Sequence, residues 1–216
     1  MTNKLLNIIK GSYPLKEIDP GEFAKMKVSG MNFEIKAYKA EGLGHVSVMR
    51  ASGFMGLMKM DTLIINPTEL DLPLYSYDRI FAMGNDTLIV ELYDTLLGEY
   101  SEKKLMEIKL REKYSAIPDR DPGEHWYDSI KLPSSISKKG KGKHHALMTG
   151  LITRHFEAYL KSNAAKVTDK ASKQDKASVY VNGLIEKGGP STDVFKKHIG
   201  EAKTRNLFEN ILFGTK

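Results

Sequence analysis

MNFEIKAYKAEGLGHVSVMRASGFMGLMKMDTLIINPTELDLPLYSYDRIFAMGNDTLIVELY, residues 31–93, is the stretch whose reading decides the fold. Phe33, Ile35 and Ala37 alternate with Glu34, Lys36 and Tyr38, the period of a strand with one buried face. Gly42 and Gly44 mark a turn, residues 46–49 make a second strand, and Ser52-Gly53 turns the chain again. Residues 54–65 are an apolar run broken only by Lys59, Asp61 and Thr62. Asn66-Pro67 stops that run, because proline lacks a ladder donor and biases the residue before it towards extended geometry. Residues 79–83 and 88–93 flank Gly84-Asn85-Asp86, a hairpin turn. Connections this short hold no crossover helix, so the sheet is expected to be an antiparallel meander.

Outward from this stretch the period becomes helical. Residues 1–10, MTNKLLNIIK, form a short amphipathic helix, and Leu105, Ile108 and Tyr114 fall at helical spacing in a Lys/Glu-rich segment. Leu147, Leu151, Ile152, His155 and Tyr159 make an apolar stripe. Gly189-Pro190-Ser191-Thr192 signals the cap of a closing helix, with Phe195, Ile199, Ala202, Phe208, Ile211 and Leu212 on one side. Residues 166–176 are polar and read as solvated. No repeat or boundary shows. The expectation is one α/β domain of the α+β type over residues 1–216: a mainly antiparallel sheet sandwiched between helices.

The composition narrows the function. The 216 residues are 41% hydrophobic and 28% charged, enough for an independent core. With no cysteine, the chain cannot be a disulfide scaffold, hold Fe–S through thiolates, bind zinc through cysteine or use a cysteine nucleophile. The net charge of +6 is uneven: residues 131–216 carry 17 Lys/Arg against 7 Asp/Glu, and residues 1–130 carry 16 against 20. An anionic partner is therefore sought on the C-terminal part. The N-terminal run is too short for a signal core and nowhere do 18 apolar residues run together, so a cytoplasmic protein without membrane partner is expected.

Several groups of residues could carry chemistry. Residues 137–145, SKKGKGKHH, combine glycine and lysine as an anion-wrapping loop does, but lack the spacing of a Walker A sequence; a solvated loop is the plainer reading. Adjacent His144 and His145 point about 100° apart on a helix and rarely chelate together, so no metal is expected. Nucleic-acid binding has only charge in its favour, without a helix-turn-helix pattern, an RNP-like strand or Arg richness. Asp78, ahead of an apolar strand, can hold a proton near neutral pH if apolar walls surround it, although from the pattern alone an ordinary turn carboxylate is the favoured reading. Arg154 and His155, opening the apolar helix, can meet a carboxylate, although a structural role is the stronger reading. Met49, Met55, Met58 and Met60 suit an adaptable apolar pocket, or simply a core. Asp61 and Asp94 flank strands and read as surface residues.

The order Asn66-Pro67, Leu72-Pro73-Leu74-Tyr75, then Asp78 resembles the central stretch of ferredoxin-dependent bilin reductases. Leu110-Arg111 to Ile117-Pro118 and Trp126 resembles that family's connector. Pro190-Ser191-Thr192-Asp193-Val194-Phe195, Ile199-Gly200-Glu201 and Leu212-Phe213 resemble its closing helix. The chain equally resembles red chlorophyll catabolite reductase, of the same wider superfamily. Order and spacing over residues 30–216 carry the likeness, since each motif is short.

The resemblance implies an oxidoreductase that holds an open-chain tetrapyrrole between sheet and helices and binds no cofactor. Electrons would arrive singly from reduced ferredoxin, an acidic protein suited to the basic C-terminal part. Asp78 would be the proton donor, with Asp193 as a second acid; Thr62, Arg154 and His155 would bind substrate. Thr62 stands where the phycocyanobilin-forming branch has a histidine, and residues 48–50 hold no acid where that branch has a glutamate. Gly189-Pro190 replaces an acid that some members place before the closing helix. A tetrapyrrole-binding carrier that has lost the proton relay is the alternative.

Overall fold

The computed structural model describes residues 1–189 and 191–216. Pro190, part of the expected cap before the closing helix, lies outside the described residues. Helix α1 (Thr2–Lys10) buries Leu5, Leu6 and Ile9 along one side. Two short strands follow, β1 (Leu15–Ile18) and β2 (Lys25–Val28). The alternating stretch then forms five strands: β3 (Met31–Ala40), β4 (Gly44–Gly53), β5 (Met58–Pro67), β6 (Leu74–Ala82) and β7 (Asn85–Tyr93). A last strand, β8 (Ile136–Lys141), completes the sheet. The order is β1-β3-β4-β5-β6-β7-β8, with β2 beside β1 on the outer edge of β3, and every pairing is antiparallel. The expected meander and its α/β class are therefore correct.

Period-two alternation gives the sheet two apolar faces. Val46, Val48, Leu63, Ile65, Tyr75, Tyr77, Leu88 and Val90 pack against α1, α2 (Lys103–Lys109), α3 (Glu112–Ser115) and α4 (His145–Leu160). Ile35, Ala37, Met49, Ile64, Leu74 and Tyr93 face α5 (Lys170–Lys187), α6 (Thr192–Ile199), α7 (Glu201–Asn206) and a π-helical turn, Leu207–Leu212. Each fully buried leucine or isoleucine contributes about 1.5–3 kcal/mol to holding these layers.

Three expectations need correction. The polar segment 166–176 is not all solvated: Asp169 accepts a hydrogen bond from Ser172 N at 3.0 Å and caps α5, whose Lys173 is wholly buried. The Lys173 ammonium has three oxygen partners: Asp71 Oδ1 at 2.9 Å and the carbonyls of Leu72 at 2.7 Å and Thr95 at 2.9 Å. Residues 137–141 are not a loop but most of β8, because Lys138 turns inward to Asp119 at 2.7 Å and the Ile117 carbonyl at 3.1 Å. The closing segment is not one helix. Gly200 adopts φ 81° between α6 and α7, which leaves Ala202 exposed.

Candidate active site

The pairing of β5 with β6 sets Thr62 directly opposite Asp78. Leu63 and Tyr77, one residue along, are wholly buried on the α4 side, so Thr62 and Asp78 point towards α5 and α6. The Thr62 hydroxyl donates to Asp78 Oδ1. Asp78 lies fifth in β6 rather than at its start, because residues 74–77 already belong to the ladder. Ser76 and Glu91 are the next cross-strand pair on this face.

These side chains open on a cavity of about 100 Å³ between the sheet and the C-terminal helices. Met49 and Ile64 line it from the sheet, Tyr127 from the connector after β7, and Tyr180 from α5. Thr192, Phe195, Phe208 and Leu212 close it. The rings of Tyr93 and Tyr180 lie 4.2 Å apart, and Tyr127 meets Tyr93 edge-on at 5.6 Å. Trp126, beside Tyr127, donates from Nε1 to the Gly188 carbonyl at 2.9 Å and lies over Gly183, where an added Cβ would come within 2.2 Å of its ring. The closing π-turn is tied to the sheet through its carbonyls. His45 Nε2 donates to Ile211 at 2.8 Å, Ser47 Oγ to Leu212 at 2.7 Å and Asn66 Nδ2 to Phe213 at 2.9 Å.

Electrostatics single out Asp78. Burial pushes its carboxyl from 3.8 up to about 6, the Thr62 hydrogen bond opposes that rise, and the Glu91 charge adds to it. At pH 7 about one molecule in ten then keeps the proton. Glu91 accepts from the Tyr93 hydroxyl at 2.6 Å and has Lys131 at 3.9 Å. Burial raises the phenols of Tyr93, Tyr127 and Tyr180, so all three remain neutral donors. The arrangement is an aromatic-lined cavity with one carboxyl, that of Asp78, able to take or give a proton near neutral pH. Among the described residues, no group of three His, Asp or Glu is placed to hold a metal ion.

Thr62 and Asp78 are brought together; the other sequence candidates are not. Asp193 is exposed on the first turn of α6, since Thr192 and Phe195, three apart, take the inward side. Arg154 is exposed and borders a groove between α2 and α4, on the far side of the sheet. His155 is wholly buried on that far side, where its Nε2 donates to the Ser134 carbonyl at 3.1 Å and its Nδ1 receives the Tyr75 hydroxyl at 3.3 Å. Burial lowers its pKa to about 4, so it is a neutral structural imidazole. Of the four methionines only Met49 lines the cavity; Met55 stands exposed on the β4–β5 turn. Asp61 binds the Met1 amino group at 2.8 Å, and Asp94 caps Leu96 N at 3.1 Å. Glu91, Tyr93, Tyr127 and Tyr180 escaped the sequence reading. For Glu91 a signal existed, because the hairpin register puts it beside Ser76, two residues from Asp78 on the same face.

No protein-family model and no curated protein matches the chain. Among solved structures it is similar to phytochromobilin synthase from tomato in complex with biliverdin, with a TM-score of 0.73 and 16% identity over 100% of this chain and 83% of that one. A likeness at that identity establishes the shared fold. Among the described residues no helix is long and apolar enough to cross a membrane.

Proposed function

We propose that this chain reduces a linear tetrapyrrole in single-electron steps supplied by reduced ferredoxin, with Asp78 as the proton donor. The observation that carries the reading is Asp78 itself: a carboxyl with a pKa near 6, hydrogen-bonded by Thr62, on the wall of an aromatic-lined cavity between sheet and C-terminal helices. The fold shared with a biliverdin-bound phytochromobilin synthase supports a tetrapyrrole as the substrate class. In this reading the protein's contribution is to hold the conjugated system flat, exclude water and place a proton, while electrons come from outside. Each double bond reduced consumes two electrons and two protons. Asp78 delivers the two protons in turn at the pyrrole nitrogens or lactam oxygens and is recharged from solvent after each.

Small-molecule pockets usually measure about 300–1,000 Å³, several times the present cavity. Binding a bilin therefore requires the cavity to widen, by an outward swing of α6, which lines it through Thr192 and Phe195. Gly188 at φ 87° and Gly200 at φ 81° bracket α6, and both sit where glycine turns freely. The carbonyl ties from His45, Ser47 and Asn66 keep the π-turn in place during that movement.

Biliverdin added to the purified protein is expected to show a shifted, sharpened visible spectrum, which a ferredoxin reducing system then bleaches. Asp78→Asn should keep the shift and lose turnover. Full turnover in that variant would remove Asp78 from the mechanism, and no spectral shift in the wild type would remove the tetrapyrrole. A second reading, a tetrapyrrole carrier, is favoured by the threonine at position 62, where the phycocyanobilin-forming branch has histidine. Stable binding without reduction would select it.

A further inference from the structure

The row of cross-strand partners Val28, Met31, Gly53, Met58, Ala82, Asn85 and Lys141 runs across one end of the sheet. With strands about 4.8 Å apart, this end is roughly 29 Å wide, and the β4–β5 and β6–β7 turns stand about 10 Å from each other. Those two turns project large apolar side chains into solvent: Phe54 is 61% exposed, Met55 101%, Leu57 64% and Met83 90%.

Neither folding requirement selects these residues. A turn tip gains no burial, and the backbone there wants glycine or asparagine: Phe54, Met55 and Met83 adopt φ of 52°, 55° and 50°, the left-handed region that bulky side chains avoid. Among the described residues the one other non-glycine with positive φ is Ser29, at φ 51° on the neighbouring β2–β3 turn of the same end. The strain and the exposed apolar groups therefore coincide.

On the terminal row and its turns the exposed charge is basic. Lys27, Lys59, Lys139, Lys141 and Lys143 are all exposed, and none takes part in an ion pair among the described residues. Asp86, the acid nearest the tips, is buried with Arg79, and exposed Asp119 lies farther back, paired with Lys138. Apolar tips ringed by unpaired lysines match an anionic bilayer surface, where the tips sink to the headgroup boundary and the ammonium groups stay among the phosphates. The apolar groups stand on convex turn tips, as insertion into a deformable lipid interface requires.

We infer that this end of the sheet is a peripheral docking surface for anionic phospholipid membranes, with Phe54, Met55, Leu57 and Met83 inserting and the five lysines holding the headgroups. The Lys-Gly run around β8 thereby acquires a role, through lysines that three separate segments bring to one end of the sheet.

The test is co-sedimentation of the full chain with vesicles of phosphatidylcholine alone, or with roughly a quarter phosphatidylglycerol, at about 0.05 M and about 0.5 M salt. Binding to the anionic vesicles is expected, at least about tenfold stronger than to the neutral ones and falling steeply at high salt. Met55→Asn with Met83→Asn should reduce it at least about tenfold without lowering the unfolding temperature, since asparagine suits both backbones. Lys141→Glu with Lys143→Glu should abolish the preference for anionic lipid. Absence of binding at low salt, or unchanged binding by the methionine double variant, would overturn the inference. Preferential binding of soluble polyglutamate over vesicles would overturn it too, and would place an acidic protein there instead.

Discussion

Asp78→Asn has a consequence for stability that needs no substrate. The folded chain holds the Asp78 proton near pH 6, whereas an ordinary aspartate releases it at 3.8. Ionising the group therefore opposes folding: the cost is absent below about pH 3.8, grows as pH rises, and is complete above about pH 6. The gap between the two values, at about 1.36 kcal/mol for each pH unit, comes to about 3 kcal/mol. Asparagine never ionises and its Oδ1 can still accept from Thr62, so the variant escapes this cost. It should match the wild type near pH 3.8 and exceed it by about 2–3 kcal/mol at pH 8. For a chain of this length that is an increase of roughly 4–12 °C in unfolding temperature. Denaturant unfolding of both proteins at a series of pH values isolates the effect, because every other titrating group cancels in the difference. Parallel stability curves from pH 4 to pH 8 would show that Asp78 titrates as an ordinary aspartate, and the reasoning that makes it a proton donor would fall with it.

Lys173→Ala should cost about 3–5 kcal/mol by urea unfolding, because it removes the cation that fills the space between Asp71 and two carbonyls; a loss under 1 kcal/mol would contradict that role. His155, neutral with its pKa lowered to about 4, gives a contribution that is present above pH 6.5 and lost as pH falls to about 4, worth about 3 kcal/mol. In His155→Gln the acid side of the stability profile should flatten between those values. Gly183→Ala forces the Trp126 ring off α5 and should cost about 1–3 kcal/mol, with a red shift in tryptophan fluorescence that follows from exposing the single tryptophan; an unchanged spectrum would mean the ring has room to move.

The five central strands were legible because they pair with sequence neighbours and alternate in hydrophobicity, so local pattern and tertiary structure agree. β8 and α5 were not, and for one reason. Lys138 and Lys173 are lysines whose buried charges are compensated elsewhere in the chain: Asp119 lies 19 residues away from Lys138 and Asp71 lies 102 away from Lys173. A pattern of polarity cannot reveal such partners. The site divides the same way. Thr62 and Asp78 are direct partners within the meander, whereas Tyr127 and Tyr180 arrive on segments whose docking no local pattern specifies. Asp193 and His155 misled because each lies on a helix whose inward side is set by its neighbours, Thr192 and Phe195 in one case, Tyr75 and Ser134 in the other.

The two-faced register of β6 also bears on how such a protein can evolve. Tyr77 and Asp78 are adjacent in the chain but serve opposite sides of the sheet, one in the core and one at the cavity. Substitution can change either alone. Deleting one residue earlier in β6 would exchange them, driving a carboxyl into the α4-side core and a phenol into the cavity. Length changes should therefore be purged from the strands. Lineages descending from this fold can vary the chemistry of the cavity one side chain at a time, but they inherit its frame whole.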